Sequence, residues 1–275
     1  MNAGWFDGPT IQSSGKIIGP FGGQSHNIPA EQGPFWRWEY IDADGAQEIR
    51  HAVRENIYYG ADLIKLAADN SDFHYSLDEI RAAVDEAHHA NRPVAVHVYG
   101  GEAARNVIEG GADSVEHGFD FDDDLLKLTK EKGLFLVGTD FPLAHLQFMT
   151  GVNDSFSSAE HMDQKILHRL RRAHELGVKM AFGSDTVIEM PHRTRADLML
   201  DYLGEFTKAG IPPAEILKDW ITNPAILMRL DKERGSIASG FAADIIATPA
   251  SPLDDPENLR KVNFVMKDGK IIRKN

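Results

Sequence analysis

A lysine, two histidines and an aspartate recur at the same kind of place in this sequence, at or near the ends of short apolar runs. Lys65 lies in Ala61-Asp62-Leu63-Ile64-Lys65-Leu66 and His97 in Pro93-Val94-Ala95-Val96-His97-Val98. His117 follows Asp113-Ser114-Val115-Glu116, and Asp185 follows Val178-Lys179-Met180-Ala181-Phe182-Gly183-Ser184. Lysine is rarely buried without a partner, and burial favours its neutral, nucleophilic form. A neutral amine adds CO2 to become a carbamate, an anion with two oxygens that can bridge two divalent metals. Imidazole nitrogen and carboxylate oxygen are the matching ligands. Each residue also has an ordinary reading: Lys65 at a strand end facing solvent, His97 a hydrogen-bonded core histidine, His117 one near a helix, Asp185 an N-cap. Packing alone rarely places four potential ligands at equivalent ends of successive strands, and the joint pattern favours chemistry.

The elements that would position them alternate. Residues 1 to 40 are rich in Gly, Pro, Trp and Phe and read as one strand near Ile11 to Ile18 followed by a long loop. A helix is predicted over about Ala43 to Tyr59, with Ile49, Val53 and Ile57 on one face and Gly60 closing it. Ser76-Leu77-Asp78-Glu79 is a capping box opening a helix to about Ala90. Helices are also expected near Glu102 to Glu109, Asp122 to Lys132, Glu160 to Leu176, Arg195 to Ala209, Pro213 to Trp220 and Pro224 to Leu230, the last capped by Asn223. Thr139 to Ala159 reads as a long irregular loop, of the kind that carries function. After Gly235 the texture changes to strands without helices, with a hairpin turn at Lys267-Asp268-Gly269-Lys270. Residues 1–235 therefore read as one α/β domain and 236–275 as a small β module.

Strand-then-helix repetition suits a parallel sheet with right-handed crossovers, either doubly wound or a (β/α)8 barrel. Chemistry-bearing residues at the C-terminal ends of several strands favour the barrel. The glycine-rich stretches lack the phosphate-loop spacings a doubly wound nucleotide binder would show.

Composition narrows the chemistry further. The 275 residues contain no cysteine, so any metal must be held by nitrogen and oxygen. A formal net charge of -13 makes nucleic acid and anionic membranes poor partners. No apolar run approaches the roughly 20 residues that cross a bilayer, and the first residues lack the pattern of a signal peptide; a cytoplasmic location is the expectation. Among the remaining histidines, His192 in the loop after Asp185 and His145 in the long loop are candidate substrate contacts.

The runs Val96-His97-Val98-Tyr99-Gly100, Gly110-Gly111-Ala112-Asp113-Ser114-Val115-Glu116-His117-Gly118 and Phe182-Gly183-Ser184-Asp185-Thr186 resemble the metal-dependent amidohydrolase superfamily, within it the prolidase and imidazolonepropionase-like branch. Thr222-Asn223-Pro224-Ala225, Ala243-Asp244-Ile245-Ile246 and Val265-Met266-Lys267-Asp268-Gly269-Lys270 are similar to that family's return from barrel to β-sandwich. The resemblance implies a carboxylated, bridging Lys65, with His97 and His117 as ligands of the second metal. Asp185 would bind the first metal and act as general base on a metal-activated water, and Tyr99 would touch the substrate. Zinc is the default ion, one or two per chain. The implied reaction is hydrolysis of a C–N bond in an amide, dipeptide or cyclic amide.

The family's His-x-His pair, from its first barrel strand, is absent here. The resemblance therefore implies an incomplete TIM-like barrel, about strands 3 to 8, six strands in all, with a small C-terminal β-sandwich portion. It leaves at most one well-held metal, on Lys65, His97 and His117. The two missing strands should show as a gap beside the first strand or be filled by another chain; a homo-oligomer is a separate expectation. The other reading is a non-catalytic remnant serving as a binding or interaction protein.

Overall fold

The computed structural model describes residues 5, 8–25, 29–69, 73–152 and 158–274. The chain falls into two compact units, Met1–Leu136 and Val137–Asn275. The fold is α/β, an incomplete TIM-like (β/α)8 barrel with a small antiparallel sheet at the C-terminus.

In the first unit β1 (Ile17–Gly19), β2 (Tyr40–Asp42), α1 (Ala46–Tyr58), β3 (Ile64–Ala67), α2 (Leu77–His89), β4 (Val94–Val98), α3 (Gly101–Gly110), β5 (Ser114–His117) and α4 (Asp123–Lys132) follow in order, and β6 (Phe135–Val137) closes it. The sheet order is β2-β1-β3-β4-β5-β6, and the pairings from β2 to β5 are all parallel. The apolar stripes act as expected. Ile49, Ala52 and Val53 of α1 and Ile80, Ala83, Val84 and Ala87 of α2 are buried, as are Ile18, Ile64, Leu66, Val94 and Val96 of the strands. Each fully buried branched side chain contributes about 1.5–3 kcal/mol. The capping box is present in full, with Ser76 Oγ accepting the Glu79 N–H and the Ser76 N–H donating back to Glu79 at 2.8 Å.

One strand was not anticipated. Tyr40–Asp42, expected as the end of a loop, pairs with the edge of β1 where missing strands were to leave a gap. Its three residues are too short for alternation to show, and the surrounding Trp and Pro mask it. Tyr40, packed against Gly23, makes the segment specific: a Cβ on Gly23 would lie 2.6 Å from the Tyr40 ring.

The second unit contains α5 (Leu143–Val152), α6 (Ala159–Leu176), β7 (Lys179–Met180), α7 (Arg195–Asp201), α8 (Leu203–Lys208), α9 (Pro213–Leu217), α10 (Asn223–Leu227), β8 (Ile245–Ala247), β9 (Phe264–Lys267) and β10 (Lys270–Lys274). Three expectations are corrected here. The stretch 139–159 contains α5, whose apolar residues go nearly all round and so show no periodic face. The strand expected to run to Thr186 is regular only at Lys179–Met180. Asn223 does not cap a helix: a π-helical turn, Lys218–Thr222, runs straight into α10, and the Asn223 amide donates to Met180 O at 2.8 Å and Asp219 Oδ1 at 3.0 Å. β10-β9-β8 form the antiparallel sheet, and the expected hairpin turn has positive φ at Asp268 and Gly269. Among the described residues no helix is long and apolar enough to cross a membrane.

Candidate active site

Parallel pairing brings the two histidines together. In register Ala67 lies opposite His97 and Val98 opposite His117, which places both side chains at the C-terminal ends of adjacent strands. Both are buried, and their rings are 4.5 Å apart, centroid to centroid, at 68°. Tyr99 joins them, 4.7 Å from His97 and 5.8 Å from His117, and stacks on Phe119 at 5.4 Å while keeping 40% of its surface exposed. An exposed aromatic beside two buried imidazoles is suited to meeting a ligand.

The backbone here is tightly constrained. His117 has φ 70° and Gly118 φ 58°, so the chain turns sharply as soon as β5 ends. A non-glycine residue in this region costs about 1–2 kcal/mol and persists only where its surroundings fix it. Gly100 is needed for close approach: a Cβ there would lie 2.8 Å from Cβ of Asp120, whose N–H donates to Tyr99 O at 2.9 Å.

Burial, and then the charge of Lys65, pushes the His97 imidazole down to about 3, so it is neutral through the physiological range. A neutral imidazole is the metal-binding form. Lys65 itself is partly buried on β3. Two further residues, not signalled by any motif, touch His97. Gln24 Nε2 lies 2.9 Å from its Nε2 and 3.2 Å from its Nδ1, while Gln24 Oε1 accepts the Tyr40 hydroxyl at 2.6 Å. Asp69 Oδ1 is 3.5 Å from His97 Nε2, and Asp69 Oδ2 accepts the Tyr99 N–H at 3.3 Å. Burial raises the Asp69 carboxyl above its ordinary range. Asp69 is placed there simply by following β3, but nothing in its neighbours marks it beforehand.

Asp185 and His192 belong to the second unit. Asp185 is exposed, with φ 43°, and His192 is exposed, with φ 62°. Gly183, just before them, packs so closely that a Cβ would lie 2.5 Å from Val137 Cγ1. His145 is not the loop residue expected. It is fully buried in α5, with Nε2 3.1 Å from Asp201 Oδ2. Among the described residues no three His, Asp or Glu side chains gather into a metal-holding group. The donor set of two adjacent imidazoles, one held neutral, with a lysine beside them fits a nitrogen-and-oxygen metal site.

The sequence matches the model of the Amidohydrolase family over residues 12–272. This chain belongs to the amidohydrolase family. Divalent metals are general to that superfamily. Among curated relatives, this amidohydrolase is 28% identical over 303 residues to ochratoxinase from Aspergillus niger, an alignment covering 99% of this chain and 62% of the relative. The amidohydrolase thus spans less than two thirds of that relative's length. The crystal structure of A. niger ochratoxinase matches with a TM-score of 0.82 over 99% of this chain and 68% of that one, at 28% identity. A Xaa-Pro dipeptidase crystallised with methionine in its active site matches with a TM-score of 0.83 and 27% identity, covering 99% of this chain and 70% of that one.

Proposed function

We propose that this amidohydrolase is a metal-dependent hydrolase of a C–N bond in an amide, dipeptide or cyclic amide, using metal-activated water. The observation that carries this is the buried His97–His117 pair at the ends of adjacent parallel strands, with the charge of Lys65 bearing on it. Ochratoxinase and Xaa-Pro dipeptidase, the names of the relatives, support the substrate class. Residues 1–235 are read as the barrel domain and 236–275 as the sandwich portion.

Lys65, as its carbamate, His97 and His117 would hold the metal, zinc by default; Asp185 is read as a ligand of the family's first metal and as the general base. The metal would supply an activated water and polarise the scissile carbonyl. The chain's residues do the rest. His97 presents a neutral nitrogen because burial disfavours its proton. Asp185 takes the proton of the attacking water and returns it to the leaving nitrogen. Tyr99, anchored by its own N–H to Asp69 and stacked on Phe119, offers its hydroxyl to the substrate carboxylate or carbonyl. His192 is read as a second substrate contact.

The test is metal content by elemental analysis together with turnover of N-acyl amino acids and Xaa-Pro dipeptides, before and after chelation. Turnover that disappears on chelation and returns with zinc is expected. Bound metal with no turnover of any member of the panel would favour the non-catalytic remnant.

A further inference from the structure

The segment between β7 and α7 is held at both ends by two consecutive residues. Tyr202, between α7 and α8, donates its hydroxyl to Ser184 O at 2.6 Å. Asp201, the last residue of α7, takes Nη2 of Arg193 on both carboxylate oxygens, at 3.0 and 2.9 Å. Ser184 and Arg193 bracket the stretch 185–192.

These tie points coincide with strain. The non-glycine residues with positive φ in this stretch are Asp185, next to Ser184, and His192, next to Arg193. Left-handed backbone at non-glycine residues is sustained when neighbouring structure over-determines it. The holding residues are themselves fixed. Tyr202 is fully buried. Asp201 also accepts Arg260 Nη1 at 3.1 Å and meets His145 Nε2 at 3.1 Å, and Arg260 Nη2 donates to Leu200 O at 2.9 Å. The charge on one carboxylate thus gathers groups from α5, from the segment carrying Asp185, and from the C-terminal region.

We infer that Asp201 and Tyr202 form a clamp whose role is to hold Asp185 and His192 in their strained, functional conformations; both are positioning residues. This rests on reading Asp185 as the general base. The clamp explains why a carboxylate hub occurs at the end of a short helix, and why an exposed segment with little regular structure keeps a defined path.

The test uses the full chain with Asp201→Asn, Tyr202→Phe and the double variant, Asp201→Glu as the conservative replacement, and Arg54→Ala in the first unit as control. Hydrogen–deuterium exchange needs no substrate and decides the clamp. Peptides spanning 185–193 should exchange about tenfold faster in the double variant, with α6 and α8 unchanged. Asp201→Glu should restore part of that protection, and Arg54→Ala should leave it intact. On the Xaa-Pro dipeptide panel kcat should fall about tenfold, since a misplaced general base acts on the chemical step, and KM should rise with it, since His192 is read as a substrate contact. Unchanged exchange over 185–193, or exchange rising throughout the second unit, would overturn the clamp; so would a loosened segment with kcat unaltered. Full wild-type kcat in Asp185→Asn would instead remove the general-base reading, while the exchange result stood.

Discussion

His97 and His117 meet edge to face, their ring centroids 4.5 Å apart, because parallel register sets Val98 opposite His117 and so leaves both imidazoles at the same end of β4 and β5. Two buried imidazoles on rigid strands would give the proposed metal site its precision. Replacing either histidine by alanine should weaken zinc binding about a hundredfold or more, since ligand loss costs at least as much as the 10- to 100-fold typical of outer-shell partners. Asp185→Asn should retain the metal. Equilibrium dialysis with elemental analysis checks this; a His97→Ala variant that binds zinc like wild type would remove the proposed site.

Away from that site, Arg169 Nη2 donates to Asp140 Oδ1 at 2.7 Å and to Gly138 O at 3.0 Å, with both side chains almost wholly buried. Burial pushes the Asp140 carboxyl up, and the Arg169 charge opposes that shift. Such a pair costs desolvation on both sides, so breaking it is worse than replacing it. Asp140→Ala should destabilise by about 3–5 kcal/mol, and the double change Asp140→Leu with Arg169→Met by much less. Urea unfolding midpoints of the three proteins measure the difference.

Much of this was legible beforehand. The α1 and α2 stripes, the capping box at Ser76, and the strands carrying Lys65, His97 and His117 follow from periodicity and punctuation, which are local properties, although Lys65 lies inside β3, opposite Ala95, and not at its C-terminal end. What escaped was set by distant partners. β2 exists because Tyr40 packs on Gly23 and pairs with β1, a relationship invisible in the run Glu39-Tyr40-Ile41-Asp42. Gln24 and Asp69 reach His97 from separate connections, and neither lies in a motif. His145 looked like a loop residue because the apolar residues of α5 are spread round the helix and show no helical period. The strain at Asp185 and His192 was equally hidden: Asp and His are enriched at positive φ, yet most of them do not adopt it, and nothing in the run from Asp185 to His192 singles these two out.

Asp219 supplies a pH dependence whose sign is fixed by burial. Loss of solvent raises its carboxyl to about 7, the Asn223 amide pulling it down and Glu215 pushing it further up. Because the folded-state value lies above the unfolded one, the folded chain holds its proton more tightly. The stabilisation is complete below about pH 4 and is lost as the pH rises through about 7. Asp219→Asn keeps the shape without the ionisation. It should exceed wild type in stability at pH 8.5 by on the order of 2 kcal/mol, and the two should converge at pH 4. Denaturation midpoints at the two pH values decide it; a wild-type protein as stable at pH 8.5 as its variant would mean that the carboxyl ionises without cost.

Lys65 carries the most specific chemical expectation. The lysine sits on β3 between the buried Ile64 and Leu66, and its charge is among the causes that keep His97 neutral. A cation in that position opposes a divalent metal, whereas its carbamate attracts one. Conversion consumes CO2, removes a positive charge and adds a bidentate anion, so metal and CO2 should bind cooperatively. Zinc uptake by the wild-type chain should therefore rise with added bicarbonate at fixed pH and ionic strength. In Lys65→Ala it should be weak and indifferent to bicarbonate, and partly restored by a small carboxylate such as propionate, which fills the space with the missing charge. Lys65→Arg, permanently cationic, should bind zinc worse than Lys65→Ala. Zinc affinity measured by competition with a chromogenic chelator checks all three. If wild-type affinity does not change with bicarbonate and Lys65→Ala binds zinc normally, Lys65 is a solvated strand residue, and His97 and His117 hold the ion without it.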